Sequence, residues 1–132
     1  MFMSLKGKRA LVCGSTDGIG KSTAILLAKR GAEIVLMARN QEKLKITSNE
    51  LSTDAGQTHS HICANFNEPD SIEIKLKSEL EGPIHILVNN SGGPKGGELI
   101  QADLNEFRIG FERLLIANQA ITQASVSYMK EL

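Results

Sequence analysis

The sequence predicts an α/β fold: a doubly wound parallel sheet between helices, in three layers α/β/α. Short, nearly continuous apolar runs alternate with longer helical stretches, the pattern of strands buried on both faces and joined by helical crossovers. A second observation is the run Cys13-Gly14-Ser15-Thr16-Asp17-Gly18-Ile19-Gly20, which stands between the first apolar run and the first helix. That punctuation lets a backbone approach a pyrophosphate. Gly14 supports a tight turn, Gly18 leaves room where phosphate must sit, and Gly20 allows helix to pack closely on strand. The helix that follows turns its free N–H groups and positive dipole end toward the anion.

The elements follow in order. Strands are predicted at 9–13 and 34–38, with a helix at about 20–30 between them and another at 41–53. A third strand at 60–64 is more polar, which suits a sheet edge. The next helix, 69–81, opens with Asn67-Glu68-Pro69-Asp70: proline in its favoured first-turn place, with acidic residues near the positive end. A fourth strand at 84–89 is followed by Ser91-Gly92-Gly93-Pro94-Lys95-Gly96-Gly97, too rich in glycine for regular structure. One long helix is expected over 103–130, its core-facing stripe formed by Phe107, Phe111, Leu114, Ile121 and Met129, with Asn118 on the same face. Gly110 inside it predicts a close packing contact or a bend. The order of strand and helix implies right-handed crossovers.

Composition narrows the function. The 132 residues predict one domain, 1–132, with 41% apolar and 23% charged residues. Fifteen basic and fifteen acidic side chains cancel, so no nucleic-acid or anionic-membrane partner is expected. No apolar stretch approaches the ~20 residues that span a bilayer. The start, Met1-Phe2-Met3-Ser4-Leu5-Lys6, lacks a signal-peptide apolar region, which points to the cytoplasm. Cys13 and Cys63 fall in strand-like runs and are expected to be buried free thiols. His59, His61 and Cys63 alternate at a spacing that suits zinc, but no fourth ligand is evident and no metal site is predicted.

With both glycine motifs in view, the chain resembles the short-chain dehydrogenase/reductase family, particularly its 3-oxoacyl-acyl-carrier-protein reductase-like members, with a Rossmann-type sheet. The family's TGxxxGIG is met by residues 13–20, with cysteine in the threonine place, and its NNAG by Asn89-Asn90-Ser91-Gly92. The resemblance implies a nicotinamide cofactor. Gly14, Ser15, Thr16, Asp17, Gly18, Ile19 and Gly20 would cradle its pyrophosphate, Asn65 and Phe66 would meet adenine, and Asn89, Asn90, Ser91 and Gly92 would lie beside the nicotinamide ribose. An NAD-preferring fold ends its second strand near an acidic residue. Here the strand ends Met37-Ala38-Arg39-Asn40, so Arg39 and Asn40 are expected to meet a 2′-phosphate, and NADP(H) is preferred over NAD(H). The bland reading of Arg39 is a solvated loop cation. Lys95 is read as a solvated lysine. Asp17 lies where many NADP-using relatives carry a second basic residue.

The same resemblance places the chemistry on a serine after a fifth strand and on a YxxxK pair. The single tyrosine, Tyr128, is followed four residues later by Leu132. The chain is therefore expected to be the cofactor-binding portion, truncated after the fourth strand and following helix and inactive alone. Leu114 falls in the family's tetrad-asparagine place, with Asn118 one turn on. The implied function is an NADP(H)-dependent oxidoreductase moving hydride between nicotinamide and a small-molecule carbonyl or alcohol. The alternative is a catalytically impaired nucleotide-binding or regulatory protein on the same fold. A homo-oligomer, dimer or tetramer, is expected through helix 103–130.

Overall fold

The computed structural model describes residues 3–130; Met1, Phe2 and Leu132, named above, lie outside the described residues. Four parallel strands, β1 (Arg9–Cys13), β2 (Glu33–Ala38), β3 (Ser60–Cys63) and β4 (Ile86–Val88), lie in the order β3-β2-β1-β4. Helices α1 (Gly18–Lys29), α2 (Gln41–Glu50) and α3 (Pro69–Glu79) form the crossovers. A short 3-10 turn (Leu99–Gln101), α4 (Leu104–Phe111), a π turn (Glu112–Ile116) and α5 (Ala117–Lys130) complete the described chain.

Alternation along the strands divides the core into two halves. Ala10, Val12, Ile34 and Leu36 face Ala24, Ala28 and Leu44, so α1 and α2 cover one side of the sheet. Leu11, Cys13, Val35 and Met37 pack with Ile72, Leu76, Ile121 and Ala124, so α3 and α5 cover the other. Both faces of β1 and β2 are thus dry, which is why these strands read as unbroken apolar runs. Each fully buried Leu or Ile contributes about 1.5–3 kcal/mol. Asp17 and Asn40 cap α1 and α2 by accepting from Gly18 N and Lys43 N, and Pro69 opens α3.

The long helix differs from expectation. Instead of one regular helix over 103–130, α4 and α5 are joined by the π turn, whose wider i→i+5 bonding shifts the phase of the side chains. The predicted stripe is therefore split: Ile121 is buried and Met129 packs against the core, but Phe107, Phe111 and Leu114 are exposed. The inward residues here are Gly110, Ala117, Ile121, Ala124 and Ser125. Gly110 makes a packing contact: a Cβ there would meet Pro94 Cβ at 3.4 Å. β4 is only three residues long and half-buried, because it pairs with β1 alone among the described strands. Tyr128 is structural, its carbonyl accepting from Ile84 N at 3.3 Å.

Each member of the His59–Cys63 alternation has its own protein partner. His59 Nδ1 accepts from Ile34 N at 3.0 Å and its Nε2 faces Ser52 O at 2.8 Å. His61 Nε2 pairs with Gln41 Nε2, and Cys63 Sγ donates to Arg39 O. Among the described residues no group of three His, Cys, Asp or Glu side chains could hold a metal ion, and no helix is long and apolar enough to cross a membrane.

The two thiols differ in burial: Cys13 is buried, whereas Cys63 is only partly so. Burial pushes the Cys13 thiol up from 9.0 to about 12. The unfolded chain releases this proton first, so the associated stability is complete below pH 9.0 and is lost as pH rises toward about 12. At pH 8 the native protein is expected to react with a thiol reagent at Cys63 only, Cys13 following on denaturation. Equal native labelling of both cysteines would contradict this.

Candidate functional site

The C-terminal ends of all four strands open into one cleft. Gly14 follows β1, Arg39 and Asn40 follow β2, Asn65, Phe66 and Asn67 follow β3, and Asn90, Ser91 and Gly92 follow β4; all line it, with Thr16, Asp17, Gly18, Lys43 and Arg113. Because β2 and β3 run to one side of β1 and β4 to the other, the cleft includes the point where the strand order reverses. Open α/β sheets bind ligands at that point.

The floor is built by backbone contact. Gly14 adopts φ +57°, and a Cβ there would lie 2.6 Å from Asn90 Nδ2. A Cβ on Gly20 would lie 2.0 Å from Gly14 O, well inside van der Waals contact. Asn90 Nδ2 donates to Cys13 O and Gly14 O, both at 3.3 Å, tying the β4 end to the β1 turn. By contrast, a Cβ on Gly18 would meet nothing within 4 Å, so this glycine leaves space on the cleft side.

Not all the sequence-assigned residues line the cleft. Ser15 is buried, and its Oγ accepts from Met37 N at 3.1 Å, tying the β1 turn to β2. Gly20 is packed beneath Gly14. Ile19 points to solvent, 78% exposed, on a surface with Ser22, Thr23 and Leu26 that meets the cleft only at Gly18. Asn89 Nδ2 donates to Thr122 Oγ1 at 3.0 Å, linking the β4 end to α5, so Asn90 rather than Asn89 makes the tie to the β1 loop. Asn65 Oδ1 accepts from Asn67 N and shapes the turn after β3. Lys95 is exposed.

Leu114 lies in the π turn, and its carbonyl accepts from Asn118 Nδ2 at 2.7 Å. Asn118 Oδ1 is buried without a protein partner among the described residues. Four lining residues are not among the cofactor-binding residues expected from the sequence: Ala38, Lys43, Asn67 and Arg113. Ala38 ends β2 and Lys43 follows the Asn40 cap by three residues, both detectable signals; Asn67 and Arg113 become neighbours only through the tertiary fold.

The backbone nest gives a direct test. Gly20→Ala is expected to destabilise the protein by about 3 kcal/mol, since the new methyl meets rigid backbone. Denaturant unfolding should show the loss, and an unchanged midpoint would refute the packing argument.

Comparison with known proteins agrees with this architecture. The family model described as short chain dehydrogenase matches residues 8–131. Rat very-long-chain 3-oxoacyl-CoA reductase is 47% identical over 87 residues, 65% of this chain and 28% of that protein. Human 17-beta-hydroxysteroid dehydrogenase type 3 is 40% identical over 92 residues, 69% of this chain and 29% of its own length. The structure of L-sorbose reductase from Gluconobacter frateurii, complexed with NADPH and L-sorbose, superposes with TM-score 0.85 at 29% identity, covering 99% of this chain and 51% of that one. The chain thus spans less than a third of these curated relatives and about half of that solved structure. The motif-bearing turn, the strand order and the family match together place this chain in the short-chain dehydrogenase family.

Proposed function

We propose that this chain is the NADP(H)-binding portion, residues 1–132, of an oxidoreductase acting on a carbonyl or alcohol, similar to the 3-oxoacyl reductases. One observation carries the choice of cofactor. At the end of β2, where an NAD-binding sheet would offer a carboxylate, the cleft is lined instead by Arg39 and Lys43. Neither cationic head group has a protein partner among the described residues, whereas nearby Lys21 and Lys45 are paired with Glu50 and Glu42. A 2′-phosphate would satisfy both.

Other residues also fit a dinucleotide. Gly14, Thr16 and Gly18 line the phosphate end, at the N-terminus of α1. The Asp17 carboxylate accepts from Gly18 N as the helix cap, which gives it a local role there. Asn65 and Phe66 would meet the adenine, and Asn90, Ser91 and Gly92 the nicotinamide end. Ser15, Gly20 and Asn89 would support these segments from behind, and Ile19 contributes only its place in the turn. When bound, the nicotinamide supplies the hydride, and the protein orients it.

Competition between 2′,5′-ADP and 5′-AMP tests the reading. The protein is expected to bind 2′,5′-ADP about 10- to 100-fold more tightly. Arg39→Gln should erase most of this preference and Lys43→Gln part of it, with 5′-AMP little changed. Equal affinity for the two nucleotides would overturn the NADP(H) assignment.

We also infer self-association through 103–130, supported by the exposure of Leu104, Phe107, Phe111 and Leu115. Sedimentation should show a dimer or larger species, and a monomer at high micromolar concentration would exclude it.

A further inference from the structure

Arg113 joins segments that are far apart in sequence. From the π turn, its Nε donates to Asn67 Oδ1 at 2.8 Å, beyond the end of β3. Its Nη1 donates to Gly93 O at 3.0 Å, in the glycine-rich loop after β4. Its own carbonyl accepts from Ser91 Oγ at 3.1 Å. The guanidinium therefore spans two of the strand ends that wall the cleft, and it lines the cleft itself.

The loop it holds has little else to fix it. Residues 92–97 are exposed, and among the described residues no backbone–backbone hydrogen bond involves 91–97. Besides Arg113, the loop is anchored by the Asn90 amide at one end and by Pro94 seated on Gly110. Arginine suits this work chemically. Its planar group is always charged and carries several N–H donors in fixed directions, so it can serve two acceptors at once. A lysine here would bring one compact ammonium on a flexible stem.

We propose that Arg113 is a positioning residue for the dinucleotide: it fixes the glycine-rich loop against the β3 end and sets the width of the cleft mouth. The proposal rests on the dinucleotide reading of the cleft but not on a preference for NADP(H). Because Arg113 acts through the loop, its loss weakens both dinucleotides by the same factor, whatever stands at the 2′ position.

The test uses the full chain, with NADPH and NADH as probes, and limited trypsin digestion at the Lys95–Gly96 bond within the loop. In Arg113→Met, cleavage at Lys95 should become about tenfold faster, and both dissociation constants should rise by a common factor of about five to ten, carried by faster release. Arg113→Lys restores the charge but not the two-acceptor span, so it should recover less than half of the affinity and leave the loop open. Asn67→Ala, which leaves the π turn intact, should reproduce part of the effect and be less than additive with Arg113→Met.

Unchanged cleavage at Lys95 in both Arg113→Met and Asn67→Ala would overturn the proposal. So would a loosened loop with unaltered affinities, or full recovery by Arg113→Lys, which would assign the effect to long-range charge. If the unmodified chain binds neither probe, the dinucleotide reading itself fails. Binding of both with no effect of the substitutions rejects the strap alone.

Discussion

Three chain segments meet around Gly14 at distances that no side chain permits. The β1 turn, the first turn of α1 and the end of β4 approach so closely that a single methyl group on Gly20 would overlap Gly14 O. Asn90 ties them together by donating to the carbonyls of Cys13 and Gly14. The other strand ends are arranged around this knot of backbone. It fixes the direction of α1, and through Asn90 it carries the β4 end to the rim of the cleft. Ser15 then links the same turn to β2 by accepting from Met37 N. The site is preorganised by main-chain geometry, with few polar side chains needed in its floor.

Electrostatics complements that geometry. Asp17 is engaged in capping α1, while Glu42 and Glu50 face lysines outside the cleft. Among the described residues Arg39 and Lys43 are left as cations without an acidic partner at the β2 end. An exposed salt bridge contributes at most about 1 kcal/mol, so an anionic ligand has little to displace there. The neutral overall charge therefore conceals a local bias, and it is the local bias that matters for a small charged ligand.

What was legible in the sequence depended on how local its cause was. β1 and β2 could be read because both faces are covered, which makes the apolar run continuous. The turn at Gly14–Gly20 could be read because a backbone contact of this closeness demands glycine. The apolar stripe of Phe107, Phe111 and Leu114 misled, since helical periodicity records a shared face without saying what covers it. Asn89 and Asn90 are adjacent and chemically identical, so only the direction of the chain at the end of β4 separates the residue facing α5 from the one facing the β1 turn. Asn67 and Arg113 carried no local signal at all: they are distant in sequence, and each is polar in a way that suits any surface loop or helix.

The π turn has a consequence in terms of chain length. A regular α-helix advances about 100° per residue. The wider turn at Glu112–Ile116 absorbs close to one residue more than a regular helix would over the same rise. Winding these same residues as a regular α-helix, with none removed, would rotate everything beyond them by roughly that angle. Ala117, Ile121 and Ala124 would then turn away from the sheet. The surplus residue is thus a phase correction: it sets which face α5 buries relative to the face that α4 displays, and the one place where this chain could lose a residue without turning α5 is the π turn itself.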